Sequence, residues 1–223
     1  MRIATWNVER LKHKKDLNKI LNYCEKINAD ILILTETDEQ INPNYKYIFQ
    51  TPKLSEIDSK YYKATENRIS IFTKYKFVKQ YQTYDKYTSL CIELETENGN
   101  LIVYGTIIGI YGNRDKYGIF NRDLLKQIDD FKRLSDNKNI CICGDFNCSF
   151  SDNYYFTYFG RNSLNESFLN NEIELLTKNQ NECIDHIAIS KKFISNCNID
   201  VQEWNLDKKL SDHKGIFVDL IFI

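Results

Sequence analysis

The segment ILILTE, which runs from Ile31 to Glu36, is a short apolar run followed directly by a carboxylate. A continuous apolar run of this length is typical of a strand that is buried on both faces. A second segment, NICICGDFN from Asn139 to Asn147, has the same layout and also ends in an acidic residue, Asp145. The pattern therefore predicts two buried strands whose ends carry polar side chains.

The rest of the chain predicts helices and antiparallel strands around these two segments. Apolar residues recur at helical spacing over residues 17–27 and 120–134, which indicates two amphipathic helices. Aromatic and β-branched segments within 45–94, and a hairpin signal at Asn98-Gly99, favour antiparallel strands. Further strands are predicted at 183–190, 199–204 and 215–223, and residues 37–66, which are polar and hold both prolines, are predicted to form a long surface excursion. Such a pattern favours two packed sheets flanked by helices.

Composition indicates one folded domain spanning residues 1–223. The chain has 42% apolar residues with only 8 Gly and 2 Pro, which excludes disordered, collagen-like and linker-rich classes. Lys and Arg total 30 against 31 Asp and Glu, a net charge of -1. This balance excludes a protein that coats nucleic acid non-specifically, although it allows a local basic groove.

The cysteine count and the lack of long apolar runs predict a cytoplasmic protein. Seven cysteines are an odd number, and three of them crowd together near residue 143, so they do not resemble a disulfide framework. We find no export signal and no run of about 18 apolar residues, the length that a membrane helix needs. We therefore expect no membrane span, and the sequence indicates no obligate protein partner.

Polar residues that could carry chemistry cluster at or just beyond the ends of the predicted strands. If those ends converge, they form a pocket with several carboxylates, two amides and at least one imidazole. Oxygen ligands without thiolate partners suit a hard cation such as Mg²⁺ or Mn²⁺. The five clusters are WNVE at 6–9, TE at 35–36, GDFN at 144–147, IDH at 184–186 and SDH at 211–213.

Taken together and in this order, the five clusters resemble the endonuclease/exonuclease/phosphatase superfamily, the group of DNase I, exonuclease III, the apurinic endonucleases and the inositol polyphosphate phosphatases. The resemblance extends from Thr5 to His213, nearly the whole chain. It implies an α+β fold, a four-layer α/β/β/α sandwich with two mixed, largely antiparallel β-sheets as in DNase I. It also implies hydrolysis of phosphate esters that depends on Mg²⁺ or Mn²⁺.

The resemblance implies a role for each motif residue. Glu36 corresponds to the main metal-binding carboxylate, with Asn7, Glu9 and Asp212 as further metal or phosphate ligands. His213 corresponds to the essential histidine, which activates water or stabilises the phosphorane, and Asp185 to the carboxylate that orients its imidazole. Asp145 is expected either to take the proton of the nucleophile or to supply that of the leaving group, and Asn147 to donate to a phosphoryl oxygen. His186, next to Asp185 on the predicted strand, is expected on the opposite face as a surface or packing residue.

One position departs from the family pattern. Thr106 stands where apurinic endonucleases have tyrosine and DNase I has histidine, so a shorter phosphate contact from Thr106 is one alternative. A neighbour such as Tyr104, Tyr111, Asn113 or Arg114 is the other. Arg114 and Lys116 are candidate phosphate contacts, with solvated loop charges as the alternative.

The substrate separates three hypotheses. A DNA or RNA endonuclease or exonuclease is favoured, because the GDFN motif at 144–147 looks closest to the nucleases and because Lys12, Lys14 and Lys15 offer some backbone-tracking charge. The first alternative is a phosphomonoesterase that acts on a small-molecule or lipid-head-group phosphate, since the ending SDHK at 211–214 resembles the inositol phosphatases. The second is a binding protein that keeps the fold with weakened chemistry.

Overall fold

The computed structural model describes residues 1–14, 16–109 and 118–223, with the side chains of residues 13 and 14 left aside. Within these residues the chain forms twelve strands and three α-helices. The strands of the first half are β1 (Arg2–Asn7), β2 (Ile31–Asp38), β3 (Tyr47–Gln50), β4 (Glu66–Thr73), β5 (Lys76–Tyr81), β6 (Ser89–Thr96) and β7 (Gly99–Ile107). Those of the second half are β8 (Ile140–Asp145), β9 (Ile173–Leu175), β10 (Asp185–Ser190), β11 (Cys197–Trp204) and β12 (Gly215–Phe222). The helices are α1 (Leu17–Ile27), α2 (Ile119–Ser135) and α3 (Tyr158–Asn170), and short 3-10 segments cover Glu9–Lys14 and Leu54–Glu56.

The strands form two six-stranded sheets of similar layout. Their orders are β11-β12-β1-β2-β4-β3 and β5-β6-β7-β8-β10-β9. Each sheet contains one parallel pair, β1 with β2 and β7 with β8, and its remaining pairings are antiparallel. The prediction of two mixed, largely antiparallel sheets is therefore confirmed.

Alternation along the buried strands creates the four layers. In β2, Ile31 and Ile33 join a core between the two sheets, whereas Leu32 and Leu34 pack with α1 on the outer face. Because successive strand residues point to opposite faces, a strand covered on both sides needs apolar residues at every position. In β8, Cys141 and Cys143 enter the central core, while Ile140 and Ile142 pack with α2 and α3. The layers are therefore helix, sheet, sheet and helix.

The helix α1 follows its predicted bounds closely. Asp16 caps its N-terminus by accepting from the backbone nitrogen of Lys19 at 3.1 Å, and Asn28 ends it in a left-handed conformation with φ of 49°. Its buried residues, Ile20, Cys24 and Ile27, lie on one face. The apolar spacing thus predicted both the helix and the face that packs against the sheet.

The sequence interpretation missed α3. This helix begins at Tyr158 and is capped by Thr157, whose hydroxyl accepts from the nitrogen of Gly160 at 2.9 Å. The buried face of α3 is narrow, because Leu164 and Phe168 are its only large apolar side chains that are fully covered. A helix with so little amphipathic contrast has no strong periodic signal.

The strand ends that carry the polar clusters lie together. Asn7 is the last residue of β1 and pairs with Thr35 of the parallel strand β2. In the other sheet Asp145, the last residue of β8, pairs with Asp185, the first residue of β10. Since both sheets present these ends on the same side of the sandwich, the polar residues line one cleft between the sheets.

Candidate active site

Asn7 and Asp145 join the two sheets at the floor of the cleft. The Asn7 amide nitrogen donates to Asp145 Oδ2 at 3.1 Å, and the backbone nitrogen of Asn147 donates to Asp145 Oδ1 at 2.9 Å. Asn147 adopts a left-handed backbone with φ of 48°, and its side chain donates to the carbonyl of Ile108 at 3.0 Å. Both carboxylate oxygens of Asp145 are therefore held by donors, so its side chain has a fixed orientation.

His213 and Asp185 form a close pair beside Asp145. The distance from His213 Nδ1 to Asp185 Oδ2 is 2.6 Å. The backbone of His213 is held as well, because its carbonyl accepts from Trp6 Nε1 at 3.2 Å and from the Asn205 amide at 2.7 Å. With Nδ1 bonded to Asp185, Nε2 is the nitrogen left to face the cleft.

Burial and neighbouring charges shift the pKa values of Asp145 and His213. Burial raises the pKa of Asp145 to about 7, against the lowering effect of the nearby His213. Burial would lower the pKa of His213, but the charge and hydrogen bond of Asp185, helped by Asp145 and Asp212, raise it to about 10. At neutral pH the imidazole therefore carries a proton, and Asp145 is poised to exchange one.

The acidic side chains predicted to hold a cation line the same cleft, which has a volume of about 310 Å³. Glu36 leaves β2 with a left-handed φ of 44°, and its side chain remains about one-fifth exposed. Glu9 accepts from the backbone nitrogen of Asp212 at 2.9 Å, which ties the loop after β1 to the loop before β12. The lining residues are Asn7, Glu9, Lys12, Glu36, Ile107, Gly109, Asp145, Asn147, Tyr155, Asp212 and His213.

The donor set fits a hard divalent cation. Side chains with carboxylate and amide groups line the cleft, and the described lining residues include no thiolate. One atom of each of Asp145, Asp185 and His213 also lies within 4.8 Å of the others, and this trio could hold a metal ion. In that trio the imidazole nitrogen Nδ1 is already bonded to Asp185, so its geometry suits proton chemistry, whereas the Glu36 end of the cleft suits the cation.

Of the three residues predicted to contact phosphate, the structure describes Thr106 alone. Thr106 is fully buried, and its hydroxyl donates to Gln127 of α2. The expectation that Thr106 contacts substrate phosphate is therefore corrected, because its side chain points into the helix layer and does not line the cleft. Arg114 and Lys116, with Tyr111 and Asn113, lie outside the described residues, so their proposed contact stays a prediction.

The sequence interpretation did not assign a site role to three residues found at the cleft. Lys12 and Tyr155 contribute to its lining, and the sequence indicates only a general backbone-tracking charge for Lys12. Arg10 is buried against Glu36, with 3.6 Å between Arg10 Nε and Glu36 Oε2. The position of Arg10 next to Glu9, just after a strand, is the only sequence signal for this role. The contact with Glu36 depends on the tertiary fold.

Fold and family together place the chain among hydrolases that act on phosphate esters. The model of the Endonuclease/Exonuclease/phosphatase family matches residues 4–213, and the chain belongs to this family. A search of curated proteins finds no match. Helices long and apolar enough to cross a membrane are lacking among the described residues.

Solved structures with the same fold have low sequence identity to this chain. A 3'-5' exonuclease, NExo from Neisseria meningitidis, matches with a TM-score of 0.72 and 15% identity over 100% of both chains. The 3' phosphatase NExo from Neisseria, bound to a product DNA hairpin, matches with a TM-score of 0.74, 15% identity and 100% of both chains. An AP endonuclease from Archaeoglobus fulgidus matches with a TM-score of 0.66 and 13% identity over 99% of both chains.

Proposed function

We propose that this protein is a phosphodiesterase that depends on a divalent metal ion and cleaves DNA or RNA as an endonuclease or exonuclease. One observation carries the proposal. The His213–Asp185 pair, with 2.6 Å between Nδ1 and Oδ2, lies beside Asp145 at a cleft that Glu36, Asn7 and Asn147 line. A proton donor, a proton acceptor and a set of oxygen ligands at one point are what in-line attack on phosphorus requires.

The chain's own residues divide the work by their protonation states. Asp145, with a pKa of about 7, accepts the proton of an attacking water near neutral pH. His213, with its pKa of about 10, stays protonated and stabilises the negative charge that develops on the phosphoryl oxygens. Asp185 keeps the imidazole charged and oriented, and Asn147 directs an amide hydrogen at the phosphoryl group.

The proposed cation is Mg²⁺ or Mn²⁺, held by Glu36 with Asn7, Glu9 and Asp212. When bound, it neutralises phosphate charge and orients the leaving oxygen. Such ions are commonly held by one or two carboxylates plus substrate phosphate oxygens, which agrees with the small number of carboxylates in the cleft.

Nucleic acid is the substrate we favour. The structural neighbours are described as an exonuclease, a phosphatase bound to a DNA hairpin, and an AP endonuclease. Lys12 adds a positive charge to the cleft wall, where a phosphate backbone would run. We propose a cytoplasmic protein of one domain over residues 1–223 with no obligate protein partner.

A phosphomonoesterase is the second candidate. A smaller pocket of about 240 Å³ adjoins His213 and is lined by Lys208, Lys214 and Tyr154. Lys208 pairs with Glu182 at 3.5 Å and Lys214 with Glu203 at 3.3 Å, so the two ammonium groups would exchange these partners for a compact phosphorylated end or a soluble monoester. This observation favours hydrolysis of a terminal phosphate, as opposed to cleavage within a long strand.

The test measures product release from matched substrates with Mg²⁺ or Mn²⁺. The substrates are a duplex with an abasic site, plain single-stranded and double-stranded DNA, RNA, and soluble phosphomonoesters. We expect cleavage of a polynucleotide that disappears in His213→Ala but persists in Asp129→Ala, since Asp129 is exposed on α2. Phosphate release from monoesters alone would support the second candidate, and no turnover with any substrate would contradict both.

A further inference from the structure

A buried arginine touches the carboxylate that we assign to the cation. The side chain of Arg10 is only 5% exposed, and its guanidinium lies between two carboxylates, 3.6 Å from Glu36 and 3.7 Å from Glu66. Glu66, the first residue of β4, is also 5% exposed, whereas Glu36 opens to the cleft. Arg10 therefore compensates two negative charges, one structural and one functional.

The backbone around Arg10 is arranged to bring this side chain inward. Glu9, Arg10 and Leu11 all have left-handed φ values, of 49°, 53° and 53°. This conformation costs roughly 1–2 kcal/mol for each L-residue other than glycine, so it persists only where the surrounding contacts favour it. Without the turn, the chain after β1 would not place a guanidinium beside Glu36.

Aromatic rings hold the guanidinium from the other side. Its carbon lies 4.9 Å from the ring centre of Tyr62 and 5.9 Å from that of Tyr61. Tyr62 is fixed in turn, because its hydroxyl accepts from Arg68 at 3.3 Å. Arg10 Nε makes no hydrogen bond within the described residues. Its contact with Glu36 is therefore an interaction between charges, without the fixed geometry of a hydrogen bond.

We propose that Arg10 is a built-in counter-charge that weakens the binding of a divalent cation at Glu36. This inference rests on the proposed function, because it assumes that Glu36 is the cation ligand. A cation and a guanidinium that share one carboxylate repel each other, and the repulsion is large where burial reduces screening by water. Arg10 thus acts through Glu36, as a positioning residue, and keeps the metal-free cleft stable.

The proposal has a consequence for substrate binding. A phosphate group adds negative charge and oxygen ligands to the cleft, which offsets the repulsion from Arg10. The cation is therefore held more firmly when a phosphate ester is present than when the cleft contains water alone. Weak binding to the free protein and firmer binding with substrate would make the two events cooperative.

The experiment measures Mn²⁺ affinity by the EPR signal of the free ion, without any turnover. Two neutral variants, Arg10→Gln and Arg10→Met, are expected to bind Mn²⁺ at least about fivefold more tightly than the wild type, because the repulsive charge is gone. Arg10→Lys, which keeps the charge, is expected to stay close to the wild type. Arg68→Met is the matched control, since it removes a second buried arginine that contacts Tyr62 and leaves Arg10 in place.

A second measurement covers variants that fold poorly. In thermal unfolding, Mn²⁺ is expected to raise the Tm of the neutral variants by more than it raises that of the wild type. Adding Glu36→Gln to Arg10→Gln is expected to abolish the gain, which locates it at Glu36. Unchanged or weaker Mn²⁺ binding by both neutral variants would overturn the counter-charge role, while the hydrolysis assay tests the proposed function separately.

Discussion

At the scale of single residues, the 2.6 Å contact between His213 and Asp185 makes the behaviour of the imidazole depend on one neighbour. Asp185→Asn keeps the shape of the side chain but removes its charge. We expect kcat/KM on the best substrate to fall by about 10²–10⁴, the usual range for loss of positioned acid–base catalysis. Steady-state kinetics of purified Asp185→Asn beside Asp129→Asn checks this.

The same variant distinguishes the two places where a cation could bind. If the ion lies at Glu36, Asp185→Asn should leave Mn²⁺ affinity unchanged. A large loss of affinity would instead show that the trio of Asp145, Asp185 and His213 is the cation site.

His186 lies on β10 next to Asp185 and on the opposite face of that strand. As predicted for a residue next to Asp185, it points away from the cleft, and it is fully buried in the helix-side layer. Its Nε2 donates to the carbonyl of Cys148 at 2.9 Å, so Nδ1 is the acceptor for the hydroxyl of Thr177 at 2.8 Å. It is a packing residue, and the surface alternative is excluded.

The buried state of His186 predicts a pH dependence of stability. Burial lowers its pKa from 6.5 to about 4, so between these values the unfolded chain binds a proton that the folded protein does not. The contribution of His186 to stability should therefore be complete above pH 6.5 and fall as the pH drops towards 4, by about 3 kcal/mol. Urea unfolding of wild type and His186→Gln between pH 4 and 7.5 measures the difference. A slope that is equal in the two proteins would contradict the prediction.

At the scale of elements, the β7–β8 pair depends on a glycine. Gly144 has φ of 140°, and a Cβ atom there would lie 2.1 Å from the carbonyl oxygen of Thr106 on the neighbouring strand. Asp145 follows directly, so displacement of β8 would move it as well. The register of this pair thus sets the position of Asp145, the proton acceptor that we propose.

Gly144→Ala is expected to destabilise the protein by at least about 2 kcal/mol and to abolish most activity, because backbone strain and overlap act together. Gly99→Ala is the matched control. Gly99 also has a positive φ, of 99°, but its added Cβ would meet nothing within 4 Å. Thermal unfolding and turnover of the two variants separate the two causes, and equal losses in both would contradict a role for the overlap.

The elements also show how far the sequence could predict the structure. The helix α1 is predicted nearly to the residue, and the start of β2 is predicted although the strand continues past Leu34 to Asp38, because local burial determines the pattern. The helix α3 and the contact of Arg10 with Glu36 could not be predicted, since the first has little amphipathic contrast and the second joins residues distant in sequence. The motifs predicted seven of the residues that line the cleft, and Asp185 lies behind His213. The direction of the Thr106 side chain could not be predicted from the motifs and is known only from the structure.

At the scale of the whole molecule, cation binding should stabilise the fold. Ligands that bind only the native state add RT ln(1 + [L]/Kd), about 2.7 kcal/mol at one hundred times Kd. For a chain of this length, each kcal/mol raises Tm by about 2–4 °C. We expect Mg²⁺ to raise Tm, chelation to reverse the gain, and Glu36→Gln to reduce it. An equal rise in wild type and Glu36→Gln, measured by scanning fluorimetry, would contradict cation binding at Glu36.

Hydrogen bonds between residues near the two ends of the chain hold one side of the cleft together. Ser211 donates to the carbonyl of Asn7 at 2.6 Å, and Asp212 donates to Glu9 at 2.9 Å, across more than 200 intervening residues. During synthesis on a ribosome, β1 and β2 emerge long before the loop that carries His213. A nascent chain therefore holds Asn7, Glu9 and Glu36 without Asp212 or the imidazole, and with the activity proposed here it would remain inert towards nearby messenger RNA until the loop that carries His213 had left the exit tunnel.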